Sequence, residues 1–313
     1  MAKRMEDAEG RTGGGGEAGL ALTPRSLFSL EYIAPPAAVS DYITTLYHFR
    51  CDEPEIRDIQ PAAVGHLSIF PYGTGEMHFR DGHAEPSHEV NLMSPFSVAA
   101  PFVVDGPFHS IGAALSVLGW AALTGRDAGE YGNRFVAASD WLGPEAADLG
   151  RDLCEAYRAG TKSGHDCAMA LCDYIAANVK PVSTRHIELI RTTSRWLNTS
   201  LNPLVPDLMA SLAYSERQVQ RLVERYFGLP PRALARKYRA LRTAALLSFP
   251  KLSPEYEAEL GEAFYDQSHM IREIQLFVGR TPARLGGQET PYLTEMLTPR
   301  NLREIRMPRY PDE

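Results

Sequence analysis

The feature that most constrains this chain is a unit written twice, 51 residues apart. "SERQVQRLVERYFGLPP" starts at Ser215 and "DQSHMIREIQLFVGRTP" starts at Asp266. Each opens on a side-chain oxygen that can accept a hydrogen bond from the free N–H groups of a first helical turn. In the first copy Gln218 completes a capping box. Thirteen residues after each opening residue stands a glycine, Gly228 or Gly279, suited to a left-handed helix stop. Six and sixteen residues after it stand Arg221 or Arg272, and Pro231 or Pro282. The apolar positions coincide as well: Val219 with Met270, Val223 with Ile274, Tyr226 with Phe277, Phe227 with Val278. Agreement in cap, stop and buried face predicts two copies of one helical unit, with Ser215 and Asp266 as the helix caps.

A short helical segment precedes each unit, "VPDLMASLAY" before Ser215 and "PEYEAELGEAFY" before Asp266. A short helix, a tight turn and a capped amphipathic helix make a helix-turn-helix, whose second helix offers outward, N-terminal side chains to base edges in the major groove. In the first unit Val219, Leu222, Val223 and Tyr226 form the inner face. Arg217, Gln220, Arg221 and Glu224 take the opposite one at helical spacing. Arginine bonds guanine bidentately and glutamine bonds adenine, so that face has the chemistry of direct readout.

The clustering of Asp266, Ser268 and His269 also matches the residue types of a serine hydrolase. Neighbours on one helical turn point about 100° apart and cannot converge as a triad must. No G-x-S-x-G elbow supplies a nucleophile.

Charge is unevenly distributed. The net value is −7, which alone argues against a polyanion partner. Residues 181–251, however, carry 12 Lys/Arg against 4 Asp/Glu, whereas residues 1–180 carry 13 against 24. An acidic front joined to a basic block fits a chain of which one part meets phosphates. The opening "MAKRMEDAEGRTGGGGEAG" lacks an apolar stretch and reads as a flexible tail rather than a signal peptide. No apolar run is long enough to span a membrane. Four irregularly spaced cysteines make no disulfide framework, so the expected setting is a reducing cytoplasm, with no membrane partner.

Residues 25–110 read as β-rich: "HLSIFPYGTGEMHFRDG" alternates around glycine-rich turns and "FSVAAPFVVDGPFHSIGAAL" continues the style. From about Asp140 the pattern turns helical, with Pro144 opening and Gly160 closing one segment and 165–179 forming the next. Pro181 marks a boundary near 180–184. The expected organisation is a tail (1–20), a β-rich domain ending in helices (21–180), an all-helical domain (181–290) and a C-terminal tail (291–313). The fold class is α+β.

With these residues in place, the segment "SERQVQRLVERYFGLPPRALARKYRALRTAALL" followed by "FYDQSHMIREIQLFVGRTP" resembles the DNA-binding domain of the AraC/XylS transcriptional regulators, over about residues 184–286. The resemblance implies seven helices in two helix-turn-helix units, joined by a long helix at Pro231–Ser248, with both recognition helices entering successive major grooves. It implies DNA contacts by Arg217, Gln220 and Arg221 from the first unit. From the second it implies Gln267, Ser268, Arg272 and His269. The front half more weakly resembles the cupin-like sensor domains that accompany this module. That implies a small-molecule effector, homodimerisation and, for an activator, contact with RNA polymerase. No catalysis and no cofactor are expected.

The chain departs from the family at Ala263, where glycine usually precedes the phenylalanine; a left-handed backbone there would cost alanine about 1 kcal/mol. Glu255, Glu257, Glu259 and Glu262 also crowd the preceding helix. Two other readings stand beside the regulator. One is a cupin-like metalloenzyme using His66, His78, His83 or His88 with Glu76 or Glu89, at spacings that match no ligand motif. The other is a protein–protein adaptor with a degenerate second unit. Cys167 and Cys172, five apart, read as buried small residues, and Trp120 and Trp141 as core.

Overall fold

The computed structural model describes residues 28–247, 254–264 and 266–285 of the 313-residue chain. It is an α+β fold. Strands β1 (Phe28–Ile33), β2 (Ile43–Cys51), β3 (Glu55–Gln60), β4 (His66–His78), β5 (Ala84–Pro86), β6 (Val90–Met93), β7 (Ala100–Leu115) and β8 (Phe135–Ala137) form one antiparallel sheet. Its main path runs β1-β2-β7-β4-β6-β8, with β3 also on β7 and β5 on β4. The long β7 is the spine. It pairs with β3 over Ala100–Asp105, with β2 over Phe108–Leu115, and with β4 along its other edge.

Alternation along these strands separates two buried faces. Leu46, Leu67, Ile69, Ile111, Ala113 and Leu115 point to one side. There they pack on helices α3 (Pro144–Arg158) and α4 (Gly164–Asn178), whose contribution includes Leu153, Cys154, Cys167, Leu171, Cys172 and Ile175. The cysteines are therefore core, and burial pushes their thiols up, Cys154 to about 12 and Cys167 to about 11. The other face carries Tyr47, Phe49, Ser68, Phe70, Phe108 and Ser110 and lines a cavity.

Two front-half expectations change. The glycines of "PYGTGEM" make no turn: β4 runs through them with register shifts between Ile69 and Thr74. Gly73 has φ +81°, and a Cβ there would lie 2.7 Å from the Asp105 carbonyl, so the glycine permits a bulge pressed against β7. The first helix also starts before Asp140. α1 (Val117–Thr124) is capped by the Ser116 hydroxyl and stopped by left-handed Gly125. It is buried on nearly every side, Trp120 included, and so has no polar stripe from which a helical period can be read. Trp120 meets Trp141, of the short α2 (Ala138–Leu142), edge-on at 6.0 Å.

Beyond the connecting residues 179–183, the described chain forms six α-helices and a 3-10 turn at Pro282–Arg284: α5 (Thr184–Leu197), α6 (Val205–Ser211), α7 (Glu216–Phe227), α8 (Pro231–Leu247), α9 (Pro254–Ala263) and α10 (Gln267–Val278). α8 is largely buried and packs against α7, α9 and α10. Thirteen of its residues are buried, three of them cations, and each cation is answered by a different neighbour. Lys237 donates to the Phe96 carbonyl at 2.7 Å. Arg242 donates to the Ser200 carbonyl and the Asn198 side chain at 2.9 and 2.8 Å. Arg239 forks onto Glu273 of α10 and also bonds Asn202 and the Ala263 carbonyl.

The backbone at Ala263 is helical. The residue ends α9 in helical conformation, its carbonyl used by Arg239, and it is absent from the positive-φ residues, of which Asn133 is the sole non-glycine among the described residues. Alanine is unstrained there. Glu262 is exposed. The side chains of Glu255, Glu257 and Glu259, and the Pro250 break, lie outside the described residues.

Glu273 is 1% exposed and faces Arg239, Arg236 and His269. Removing a buried carboxylate leaves its partners' charge uncompensated in low dielectric. Glu273→Ala is expected to destabilise the chain by about 3–5 kcal/mol, read as a lower midpoint in denaturant unfolding.

Candidate nucleic-acid interface and an apolar cavity

Both repeated units fold as matched capped helices. The Ser215 hydroxyl accepts from Gln218 N, and the Gln218 side chain returns a bond to Ser215 N. Asp266 Oδ1 accepts from His269 N at 2.7 Å. Gly228 (φ 79°) and Gly279 (φ 82°) end the two helices in the left-handed conformation. In α7, Val219, Leu222, Val223, Tyr226 and Phe227 are buried, while Arg217, Gln220, Arg221 and Glu224 are exposed. In α10, Ile274, Phe277 and Val278 are buried and Gln267, Ser268 and Arg272 are exposed. Asp266 thus spends its carboxylate on a backbone cap while Ser268 faces outward, so the hydrolase-like cluster has no convergent geometry.

His269 differs from its companions. Its Nε2 lies 3.2 Å from Glu273 Oε1, and its ring meets Phe264 edge-on at 6.0 Å. It is turned along the helix toward the Arg239 network.

Of the cations in residues 181–247, Lys237, Arg239 and Arg242 are interior. Arg185, Arg191, Arg195, Arg217, Arg221, Arg225, Arg232 and Arg236 are exposed. The basic character of this half therefore resides mainly on its surface, where phosphates would be met. α5 is tied to α7 by His186 Nδ1 and Tyr226 OH at 2.7 Å.

Sequence reasoning missed how both helices are mounted. Each has a late carbonyl bonded by a backbone N–H from the front half. Ala128 N donates to Arg225 O at 2.7 Å; Ala62 N donates to Phe277 O at 2.8 Å and Ala99 N to Leu276 O at 3.1 Å. Beside the second mount Arg280 pairs with Asp58, both side chains almost wholly buried. Burial pushes the Asp58 carboxyl up, against the pull of Arg280's charge and hydrogen bonds. Gly279 lies so close to Ile59 that a Cβ would come within 2.4 Å of it. Contacts between residues about 220 apart leave no periodic trace in a sequence.

The second site is a cavity of about 160 Å³ between the inner face of the sheet and α8. Its walls are mostly apolar, Phe49, Phe70, Phe102, Phe108 and Leu241 among them, and Tyr238 and Lys237 close it from α8. Polar groups interrupt them, Asp58, Gln60, Glu76 and Lys237 among them, and one polar cluster centres on Tyr47. The Tyr47 hydroxyl hydrogen-bonds Ser68 and Ser110 and lies 3.5 Å from His66 Nδ1. Burial holds the Tyr47 phenol up and brings His66 down to about 4, so both are neutral at pH 7. The remaining histidines of the sequence-based metal reading are dispersed: His83 pairs with Asp81 and stacks on Phe79, His78 sits beside Glu76, and the His88 backbone bonds Asn91. No group of three His, Cys, Asp or Glu among the described residues is arranged to hold a metal. No helix among them is long and apolar enough to cross a membrane.

No protein-family model matches the chain, and no curated protein is similar to it at a significant level. Among solved structures it is similar to ToxT from Vibrio cholerae O395, at 10% identity and a TM-score of 0.42, over 87% of this chain and 99% of that one. It is also similar to the unsaturated-fatty-acid-bound ToxT of V. cholerae strain SCE256, at 8% and 0.41, over 87% and 96%. The AraC-like transcriptional activator CuxR aligns at 13% and 0.29, over 69% and 86%. Likeness this loose leaves function to be argued from the chain's own residues.

A histidine held neutral by burial lowers stability in acid. His48, buried on β2 with its Nε2 2.9 Å from the Tyr157 hydroxyl, is a second such group. Unfolded His66 and His48 titrate near 6.5 and their folded forms near 4, so between these values the unfolded state binds more protons and stability falls as pH falls. Denaturation midpoints are expected to drop from pH 6.5 to 4, with a shallower slope in His66→Gln.

Proposed function

We propose that this chain is a sequence-specific, double-stranded-DNA-binding transcriptional regulator. In this reading residues 181–290 read the DNA, and the apolar cavity between residues 21–180 and α8 holds a small-molecule effector. The observation that carries it is the matched pair α7 and α10. Each has a capped start, a glycine stop, a buried apolar face and an exposed face of Arg and Gln or Ser. Direct readout needs rigid helices with such side chains near their N-termini. Arg217, Gln220 and Arg221 would read one groove, and Gln267, Ser268 and Arg272 the next. His269 would support α10 through Glu273 rather than touch bases.

The unstrained backbone at Ala263 removes one motive for treating the second unit as degenerate. The scattered histidines likewise offer the metalloenzyme reading no site among the described residues.

Selection of bound duplexes from a random pool by the full-length chain tests the proposal. A defined motif is expected, and Arg221→Ala is expected to weaken binding to it by roughly 1–3 kcal/mol while relaxing preference at one or two positions. Enrichment of no motif would overturn the reading. An unchanged motif with Arg221→Ala would remove that residue from base contact.

A further inference from the structure

One segment serves both the cavity and the second reading helix. Asp58, Gln60, Pro61, Ala62 and Ala63 line the cavity. The same stretch holds α10 through the Asp58–Arg280 pair, the Ala62 N–Phe277 O bond and the packing of Ile59 on Gly279. Lys237, whose ammonium bonds the Phe96 and Ala63 carbonyls, fastens this strap to α8. The mount of α7 is separate, because Ala128 and its neighbours contribute nothing to the cavity wall.

The size and chemistry of the cavity narrow what can fill it. About 160 Å³ is close to the roughly 150 Å³ of an apolar protein cavity that accepts benzene. The pole formed by Tyr47, Ser68, Ser110 and His66 offers neutral donors and acceptors, which suit a hydroxyl or carbonyl better than a carboxylate. Three side chains of charged type line the cavity, and each has a partner: Asp58 has Arg280, Lys237 has two carbonyls, and Glu76 has His78 beside it.

Resting on the regulator reading, we infer that the cavity takes a one-ring apolar molecule with a single neutral hydrogen-bonding group, phenol-like in chemistry, and that this occupant braces strap 58–63 and so tightens the hold on α10 but not on α7. The occupant fills space against Gln60 and Ala62, which restricts the strap's opening. Opening of the strap is what would free Ala62 N and Arg280, and with them Ala99 N, whose neighbour Ala100 pairs with Gln60 of the strap.

Backbone amide exchange on the full chain, with p-cresol as the probe and calorimetry to establish that it binds, tests this. On saturation, exchange at Ala62 and Ala99 is expected to slow by roughly tenfold, with Ala128 unchanged as the internal control. Asp58→Asn is expected to speed exchange at Ala62 and Ala99 and to leave Ala128 alone. Should that variant fail to fold, Asp58→Asn combined with Arg280→Met removes both charges and is expected to give the same selective loss. Binding of p-cresol with no change at Ala62 and Ala99, or an equal change at Ala128, would overturn the coupling while leaving the DNA reading intact. Preference for decanoate over p-cresol, or no p-cresol binding at millimolar concentration, would overturn the ligand class. Failure of the DNA reading is separate, since it would show in the duplex selection whatever the cavity binds.

Discussion

Everything in the back half depends on α8 being buried while carrying three cations. A buried charge without partners is prohibitively expensive, so Lys237, Arg239 and Arg242 can sit there only if each neighbour comes into one position. Lys237 requires the Phe96 carbonyl of the front half, Arg239 requires Glu273 of α10, and Arg242 requires Asn198 and Ser200 after α5. The apolar face of α8, with Leu234, Tyr238 and Leu241, supplies the burial energy. The cations supply the geometry. Ion pairs of this kind add little net stability over apolar packing, but breaking one is costly. They make the arrangement of α7 and α10 definite.

That definiteness matters for the DNA reading proposed above. Two helices that are each well formed can still fail together if their separation drifts. Here α10 is pinned to α8 through Glu273, and both α7 and α10 are pinned at their far ends to the front half by backbone bonds. The front half is thus part of the frame that sets the distance between α7 and α10. It also contains the cavity, and the strap from Asp58 to Ala63 belongs to both.

The local features were legible in the sequence. Ser215, Asp266, Gly228 and Gly279 announced two helices with their ends, because caps and stops are chemical demands met by few residue types. The outward positions of Arg217, Gln220 and Arg221 followed from helical spacing, whereas Gln267, Ser268 and Arg272 came only from the family resemblance. Features set by packing were not legible. α1 is apolar all round and has no period. The glycines of β4 looked like a turn because a bulge pressed on a neighbouring strand asks for the same residue. The basic block read as one surface, although Lys237, Arg239 and Arg242 had to be subtracted from it, and only packing shows which cations are inside. His66 was weighed as a metal ligand, and its place beside Tyr47 and Ser68 depends on three strands meeting.

The central claim is that α7 and α10 form one rigid double head. The most direct measurement takes a duplex bound by the full chain, identifies the two half-elements by footprinting, and inserts base pairs between them. The account predicts that inserting about 5 bp, half a helical turn, abolishes the contribution of the element read by Arg272, so that Arg272→Ala no longer weakens binding to the altered duplex. Undiminished protection of both elements after that insertion would contradict a rigid pair and with it the role assigned to α8.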